Sequence, residues 1–271
     1  MLRADSVSFA YDDTPVLHDV SFAVERGGLT GVLGPNGSGK TTLLRLLGGL
    51  LRPSEGQVTL DGDDLSTHPR KTLARRMAMV PQETHMAFDY SVLEVVLMGR
   101  YPHLGAFGIE GPKDFEHAEH ALNSTGTSAL AARSFATLSG GEKQRVVIAS
   151  ALAQLSAAET TASGSQVLLL DEPTVSLDLS YQLEIASVIR DLNGRGTTTV
   201  ISTHDLNLAA SVCRNLILLR EGSVLAAGPT NEVLTAETVR ALYGVDAQVS
   251  HHGVAGHMLV VPVGRAREPV Q

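Results

Sequence analysis

One stretch constrains this chain more than any other: Gly34-Pro35-Asn36-Gly37-Ser38-Gly39-Lys40-Thr41 stands directly after the apolar run Leu29–Leu33 and directly before Leu43-Leu44-Arg45-Leu46-Leu47. Strand, glycine-rich loop and helix in that order make a phosphate-binding loop. The glycines let the backbone curl until successive N–H groups face one anion, and the helix N-terminus adds the positive end of its dipole. Lys40 is suited to neutralise charge between phosphates, and the Thr41 hydroxyl, with Thr42 beside it, is suited to hold Mg²⁺. The loop alone does not separate kinases, GTPases, helicases and transport ATPases, which share this strategy.

Composition narrows the field. A length of 271 residues with 43% hydrophobic residues suits one large domain, or a domain with small appendages. A net charge of −8 argues against a nucleic-acid surface, which needs clustered Lys and Arg. The single cysteine, Cys213, allows no internal disulfide and reads as a small buried residue in the helix that begins at Leu206, as expected of a cytosolic chain. The N-terminus carries no apolar signal segment, and no window reaches the roughly 18 apolar residues of a membrane helix. Any membrane span is therefore expected in a partner chain.

Alternation in Ser6–Tyr11 and in Val16–Val24 predicts two antiparallel strands joined by Asp12-Asp13-Thr14-Pro15. Strands are also predicted at Gly56–Leu60, before the turn Asp61-Gly62, and at Met77–Val80, halted by Pro81. Helical periods dominate from about Ser91 to Ala153. Val167–Leu170 and Thr198–Ser202 are unbroken apolar or β-branched runs, as in parallel strands buried on both faces. Between them Ile185, Val188, Ile189 and Leu192 mark a helix with Gly194 as its expected C-cap, which makes a βαβ crossover. Residues 156–165 read as a small, polar surface loop, and Val245–Val249 with Met258–Val263 as a two-stranded appendage before a frayed tail.

Two further motifs carry chemistry. Leu168-Leu169-Leu170-Asp171-Glu172 places two carboxylates at the end of a buried strand, where a doubly wound sheet opens its ligand crevice. Asp171 is suited to hold Mg²⁺, directly or through water, and Glu172 to orient or deprotonate a water attacking a γ-phosphate. Leu138-Ser139-Gly140-Gly141-Glu142 opens the helix that continues through Lys143–Ala149. Ser139 and Glu142 form a capping box, which does not explain Gly140 and Gly141; bare N–H groups at a helix end admit a phosphate closely.

Leu138–Glu142, in order with the other motifs, resembles the ATP-binding-cassette ATPases, and the resemblance covers residues 1 to about 243. It implies an α/β P-loop NTPase fold: a RecA-like parallel sheet, an antiparallel β edge, and a helical subdomain at about residues 84–155, followed by a β appendage and tail at 244–271. It implies that Tyr11 stacks on adenine, that Gln82 senses Mg²⁺ and the membrane subunit, that Asp178 lies in a dimer-interface loop, and that His204 is a switch histidine. Glu142 departs from the commoner glutamine and is read as a cap, because a carboxylate pointed inward would repel ATP. Val175-Ser176 departs from the usual Ser-Ala.

The resemblance further implies a head-to-tail homodimer in which the loop Gly34–Thr42 of one subunit and Ser139–Gly141 of the other sandwich each Mg-ATP. ATP binding closes the dimer and hydrolysis reopens it. Met98–Leu104 is similar to the stretch with which importers of ferric siderophores, haem and cobalamin meet their membrane permeases. Arg100–Leu104 is thus expected to couple the ATPase to permease subunits and, through them, to a substrate-binding protein, at the cytoplasmic face of the membrane. His257–Pro262 is similar to the end of those same importers, and the long loop after Leu155 resembles the haem-importing branch in particular. His117, His120, His251, His252 and His257 are not read as metal ligands, since cargo passes through partner chains. The remaining alternatives are a non-transport ATPase of iron–sulfur assembly type and an exporter fused to its own membrane helices.

Overall fold

The computed structural model describes residues 1–84, 86–105, 107–156 and 164–266. The chain opens with β1 (Leu2–Tyr11) and β2 (Thr14–Val24), paired antiparallel. Both strands exceed the predicted spans. Leu2 and Ala4 are buried with Arg3 exposed between them, which extends the alternation backwards, and Asp12 at φ 50° turns the chain tightly enough that Thr14 and Pro15 already pair.

β3 (Leu29–Leu33) leads through the phosphate loop into α1 (Lys40–Leu47). β4 (Glu55–Leu60) and β5 (Asp63–Asp64) flank the Asp61-Gly62 turn, and α2 (Arg70–Ala74) precedes β6 (Met77–Val80). A helical block follows: α3 (Val92–Met98), α4 (Pro112–Ser124) and α5 (Gly140–Leu155). The chain then returns to the sheet through β7 (Val167–Asp171), α6 (Leu179–Gly194), β8 (Thr198–Thr203), α7 (Leu206–Val212), β9 (Asn215–Arg220) and β10 (Ser223–Pro229). It closes with α8 (Thr230–Val233), α9 (Ala236–Tyr243), β11 (Val245–His252) and β12 (His257–Arg265).

The central sheet has the order β10-β9-β3-β8-β7-β6, parallel except for the edge strand β10. Its strands are apolar on both faces because both faces are covered. In β7, Leu168 and Leu170 face a core formed with α5, α6 and α7, while Val167 and Leu169 face a core formed with α1 and the antiparallel sheet β2-β1-β4-β5. A third core holds the helical block together, with Val92, Val96, Leu122, Phe135 and Val146 at its centre. The hairpin β11–β12 lies against α7 and α9, and Val260 is buried in the core shared with β7.

Three local expectations change. α6 runs through Gly194 and is capped at Arg195; the reversal is made by Gly196 at φ 91°, the conformation a glycine supplies without strain. The hairpin β9–β10, which sequence reasoning does not assign, turns at Glu221 (φ 49°) and Gly222 (φ 76°), the geometry that matches strand twist. Cys213 sits at the end of α7 rather than inside it, and its burial pushes the thiol up to about 12. Most of the 156–165 loop and the tail beyond Ala266 lie outside the described residues. Among those described, no helix is long and apolar enough to cross a membrane.

Candidate functional site

The phosphate loop is built by close approach. A side chain on Gly34 would meet the Leu219 carbonyl at 2.2 Å and Ser38 Oγ at 2.5 Å, so only glycine fits where the loop leaves β3. Gly39, at φ 99°, starts α1 without any side-chain cap, which leaves the first-turn N–H groups open to an anion. Gly222 N–H in the β9–β10 turn donates to the Ser38 carbonyl at 3.2 Å and so buttresses the loop from behind. Ser38 Oγ is buried without a hydrogen-bond partner among the described residues, an orphan that a phosphate-bearing ligand suits. Lys40 Nζ donates to the carbonyls of Gly34 at 2.9 Å and Pro35 at 3.2 Å and stands 3.3 Å from Glu172 Oε1.

The two carboxylates leave the end of β7 in different roles. Asp171 is 2% exposed and accepts from Ser202 Oγ at 2.5 Å, so its position is fixed by the neighbouring strand β8. Glu172 adopts φ 49°, a conformation costly for a side chain of its size, and is held there by its N–H, which donates to both the carbonyl and the hydroxyl of Ser202. That twist brings Oε2 to 2.7 Å from Nδ1 of His204, at the end of the adjacent strand β8. Strain stored at one residue thus joins Lys40, the carboxylate and the histidine in one chain of contacts.

These groups line a single cavity of about 600 Å³ with Tyr11, Asn36, Gly37, Gly39, Thr41, Thr42 and Gln82. Its size is that of a nucleotide-scale ligand site. Tyr11, at the end of β1, is 40% exposed, is braced edge-on by Phe9 at 4.8 Å, and presents its hydroxyl to Arg45 at 3.4 Å. Thr41, Gln82 and Asp171 share an adjoining cavity, which brings three hard oxygen donors to one place.

Ser139, Gly140 and Gly141 do not line that cavity; they open α5, with Ser139 and Gly140 exposed. The capping box is present: Glu142 Oε2 accepts from Ser139 N–H at 2.8 Å, so its carboxylate is turned back on the helix start rather than outward. The Ser139 N–H and hydroxyl hydrogen bonds hold Glu142 below the usual carboxylate range. Gly141 has a packing reason that sequence reasoning misses: a Cβ there would lie 2.3 Å from the Tyr181 ring of α6. Asp178 caps α6 by accepting from Tyr181 N–H at 3.1 Å.

Arg100 overturns part of its expected role in permease coupling. It is 1% exposed, pairs with Asp114 at 3.0 Å, and donates to the carbonyls of Ala153 at 2.6 Å and Ser156 at 2.7 Å. The guanidinium fastens α3 to α4 and α5 and cannot reach a partner. Tyr101 beside it is 56% exposed, and Phe88, Phe107 and Ile109 are exposed in the same stretch of sequence. Residues missed in the sequence are Ser202, which positions both acids, and Tyr243, whose hydroxyl donates to the His204 carbonyl at 3.4 Å. Neither carries a local motif.

The chain matches the family model described as ABC transporter over residues 17–175. It is 41% identical to the hemin import ATP-binding protein HmuV of Gloeobacter violaceus, over 98% of this chain and 95% of that protein. It is 38% identical to the ferric enterobactin transport ATP-binding protein FepC of Escherichia coli, over 97% and 94%, and 41% identical to the cobalamin import ATP-binding protein BtuD of Halobacterium salinarum, over 92% and 60%. Among solved structures, a metal-chelate type ABC transporter in an inward-facing conformation superposes with a TM-score of 0.81 at 31% identity, covering 97% of this chain and 96% of that one. The dimeric cassette MJ0796 superposes with a TM-score of 0.72 at 28% identity, covering 85% and 99%.

Proposed function

Because the chain belongs to the ABC transporter family of ATPases, we propose that it powers uptake of haem as the ATP-hydrolysing subunit of an importer. The chain is an ATPase subunit of the importer group that handles haem, ferric siderophores and cobalamin. The haem reading is carried by the near end-to-end match to HmuV, at 41% identity. FepC, at 38% identity over almost the same length, favours a ferric siderophore as the second reading.

In this reading Tyr11 offers its ring to adenine, and the loop from Gly34 to Thr42 wraps the phosphates with backbone N–H groups while Lys40 neutralises them. Thr41, Gln82 and Asp171 are the donors that would hold Mg²⁺, which would supply charge neutralisation between the β- and γ-phosphates. Glu172 orients the attacking water and accepts its proton; His204 holds the carboxylate in place, and Lys40 balances its charge. The dimer supplies Ser139, Gly140 and Gly141 of a second subunit to each site, so that ATP completes an interface and its hydrolysis opens it. The exposed apolar residues around Tyr101 face permease subunits at the cytoplasmic side of the membrane.

The experiment is ATP hydrolysis by this subunit with its permease in liposomes, with haem-loaded or ferric-siderophore-loaded binding protein added outside. Stimulation by the haem-loaded protein alone is expected. Stimulation by the siderophore-loaded protein alone replaces the cargo and keeps the importer, and no response to either rejects both.

A further inference from the structure

We propose that Tyr243 is a positioning residue for ATP hydrolysis, through which the C-terminal segment α9–β11–β12 holds the backbone of His204 and thereby sets the His204–Glu172 contact. The proposal rests on the reading of Glu172 and His204 as the reacting pair.

The placement follows from the topology. β3 and β8 are neighbours, with Leu33 opposite Thr203, so Gly34 and His204 leave the sheet side by side. Tyr243, the last residue of α9, closes over that exit. Its hydroxyl donates to the His204 carbonyl at 3.4 Å and also meets the backbone of Gly34. Burial, together with the facing charges of Glu172 and Asp205, pushes the phenol well above its ordinary range, so it stays a donor at every working pH. Gly244, at φ 65°, turns the chain at once into β11, which ties the tyrosine to the hairpin.

A second contact grips the same segment from the other side. Asn207 Nδ2 donates to the Val260 carbonyl at 3.1 Å, and Val260 N–H donates to Asn207 Oδ1 at 2.8 Å. Val260 is 2% exposed, so its end of this two-way bond is buried. Asn207 lies in the first turn of α7, which Asp205 caps by accepting from the N–H groups of Asn207 and Leu208. The run His204-Asp205-Leu206-Asn207 is therefore held at both ends by the C-terminal segment. The His204 ring is 55% exposed, so its aim at Glu172 is set by the backbone that carries it rather than by packing around the ring.

The test is steady-state ATP hydrolysis by the full chain carrying Tyr243→Phe, with Asn207→Ala as a second variant. Tyr243→Phe is expected to lower kcat roughly 3- to 10-fold while KM for ATP stays within about twofold and the urea unfolding midpoint is unchanged. Asn207→Ala is expected to move kcat in the same direction. An unchanged kcat in Tyr243→Phe overturns the proposal, as does a loss that merely tracks a fall in the unfolding midpoint or an equal rise in KM. Glu172→Gln separates the two layers of the argument. Its loss of turnover alongside a fully active Tyr243→Phe rejects the tyrosine alone, whereas retained turnover rejects the catalytic pair and the tyrosine's role with it.

Discussion

At the scale of single residues, burial sorts groups that look alike in the sequence. Arg100 and Lys40 are both buried cations, yet Lys40 opens on the cavity and Arg100 does not. A guanidinium that serves Asp114 and two helix-end carbonyls at once needs a planar fork, which an ammonium lacks. Arg100→Lys is therefore expected to cost about 2–4 kcal/mol by leaving buried acceptors unpaired. Urea denaturation checks this, and a loss below about 0.5 kcal/mol would show that the helical block does not depend on the contact. Glu172 was legible as a type from the paired acids that end an apolar run, and His204 only through the family resemblance. Their 2.7 Å contact was not, because it depends on the positive φ of Glu172 and on Ser202 in another strand.

At the scale of elements, turns do much of the positioning. Asp61, in the β4–β5 turn, accepts from the Met1 amino group at 2.6 Å, Arg26 at 3.2 Å, Arg76 at 2.5 Å, and both the N–H and hydroxyl of Ser165. It joins the antiparallel sheet to the leading ends of β6 and β7. Burial pushes its carboxyl up, but the amino group, Ser165 and Arg26 outweigh that and hold it far below the ordinary carboxylate range. With the folded-state value depressed, the native state binds fewer protons than the unfolded chain, so this stabilisation is present at neutral pH and is lost on acidification below about pH 4–5. Asp61→Asn is expected to destabilise the protein at pH 7 by about 1–3 kcal/mol and to flatten the decline in stability between about pH 5 and 3. Urea midpoints across that range decide it; parallel curves for the two proteins would remove Asp61 as a source of the acid slope. The turn Asp61-Gly62 was legible from its residue types, but the reach of Asp61 to Ser165 spans 104 positions and leaves no local trace.

At the scale of the whole molecule, the cavity gathers residues from Tyr11 to His204, and Ser139–Gly141 stand apart from it, which the proposed function explains by a second copy. A head-to-tail dimer makes this testable by complementation. Lys40→Ala and Ser139→Arg should each abolish turnover alone. Mixed before assembly, they should regain about a quarter of wild-type turnover, because half the dimers are mixed and each of those holds one intact site. No recovery on mixing would mean that loop and helix end do not meet across subunits.

The sequence by itself determined the fold class and offered most residue types of the candidate site, because these rest on local or periodic signals, while Tyr11, Gln82 and His204 came only through the family resemblance. A glycine-rich loop between strand and helix, paired acids ending an apolar run, and a capping box with two spare glycines can all be read along the chain. Tertiary structure alone decided which of these groups touch. β3, β7 and β8, far apart in sequence, lie close together in one parallel sheet, and that arrangement carries Lys40 to Glu172 and Glu172 to His204. It also decided that Arg100 is sealed inside, that Gly141 makes room for Tyr181, and that the C-terminal hairpin reaches the segment of His204. The physical reason is common to all of them: burial and strand order are properties of the packed sheet, and pairings across it have no period for a sequence to display.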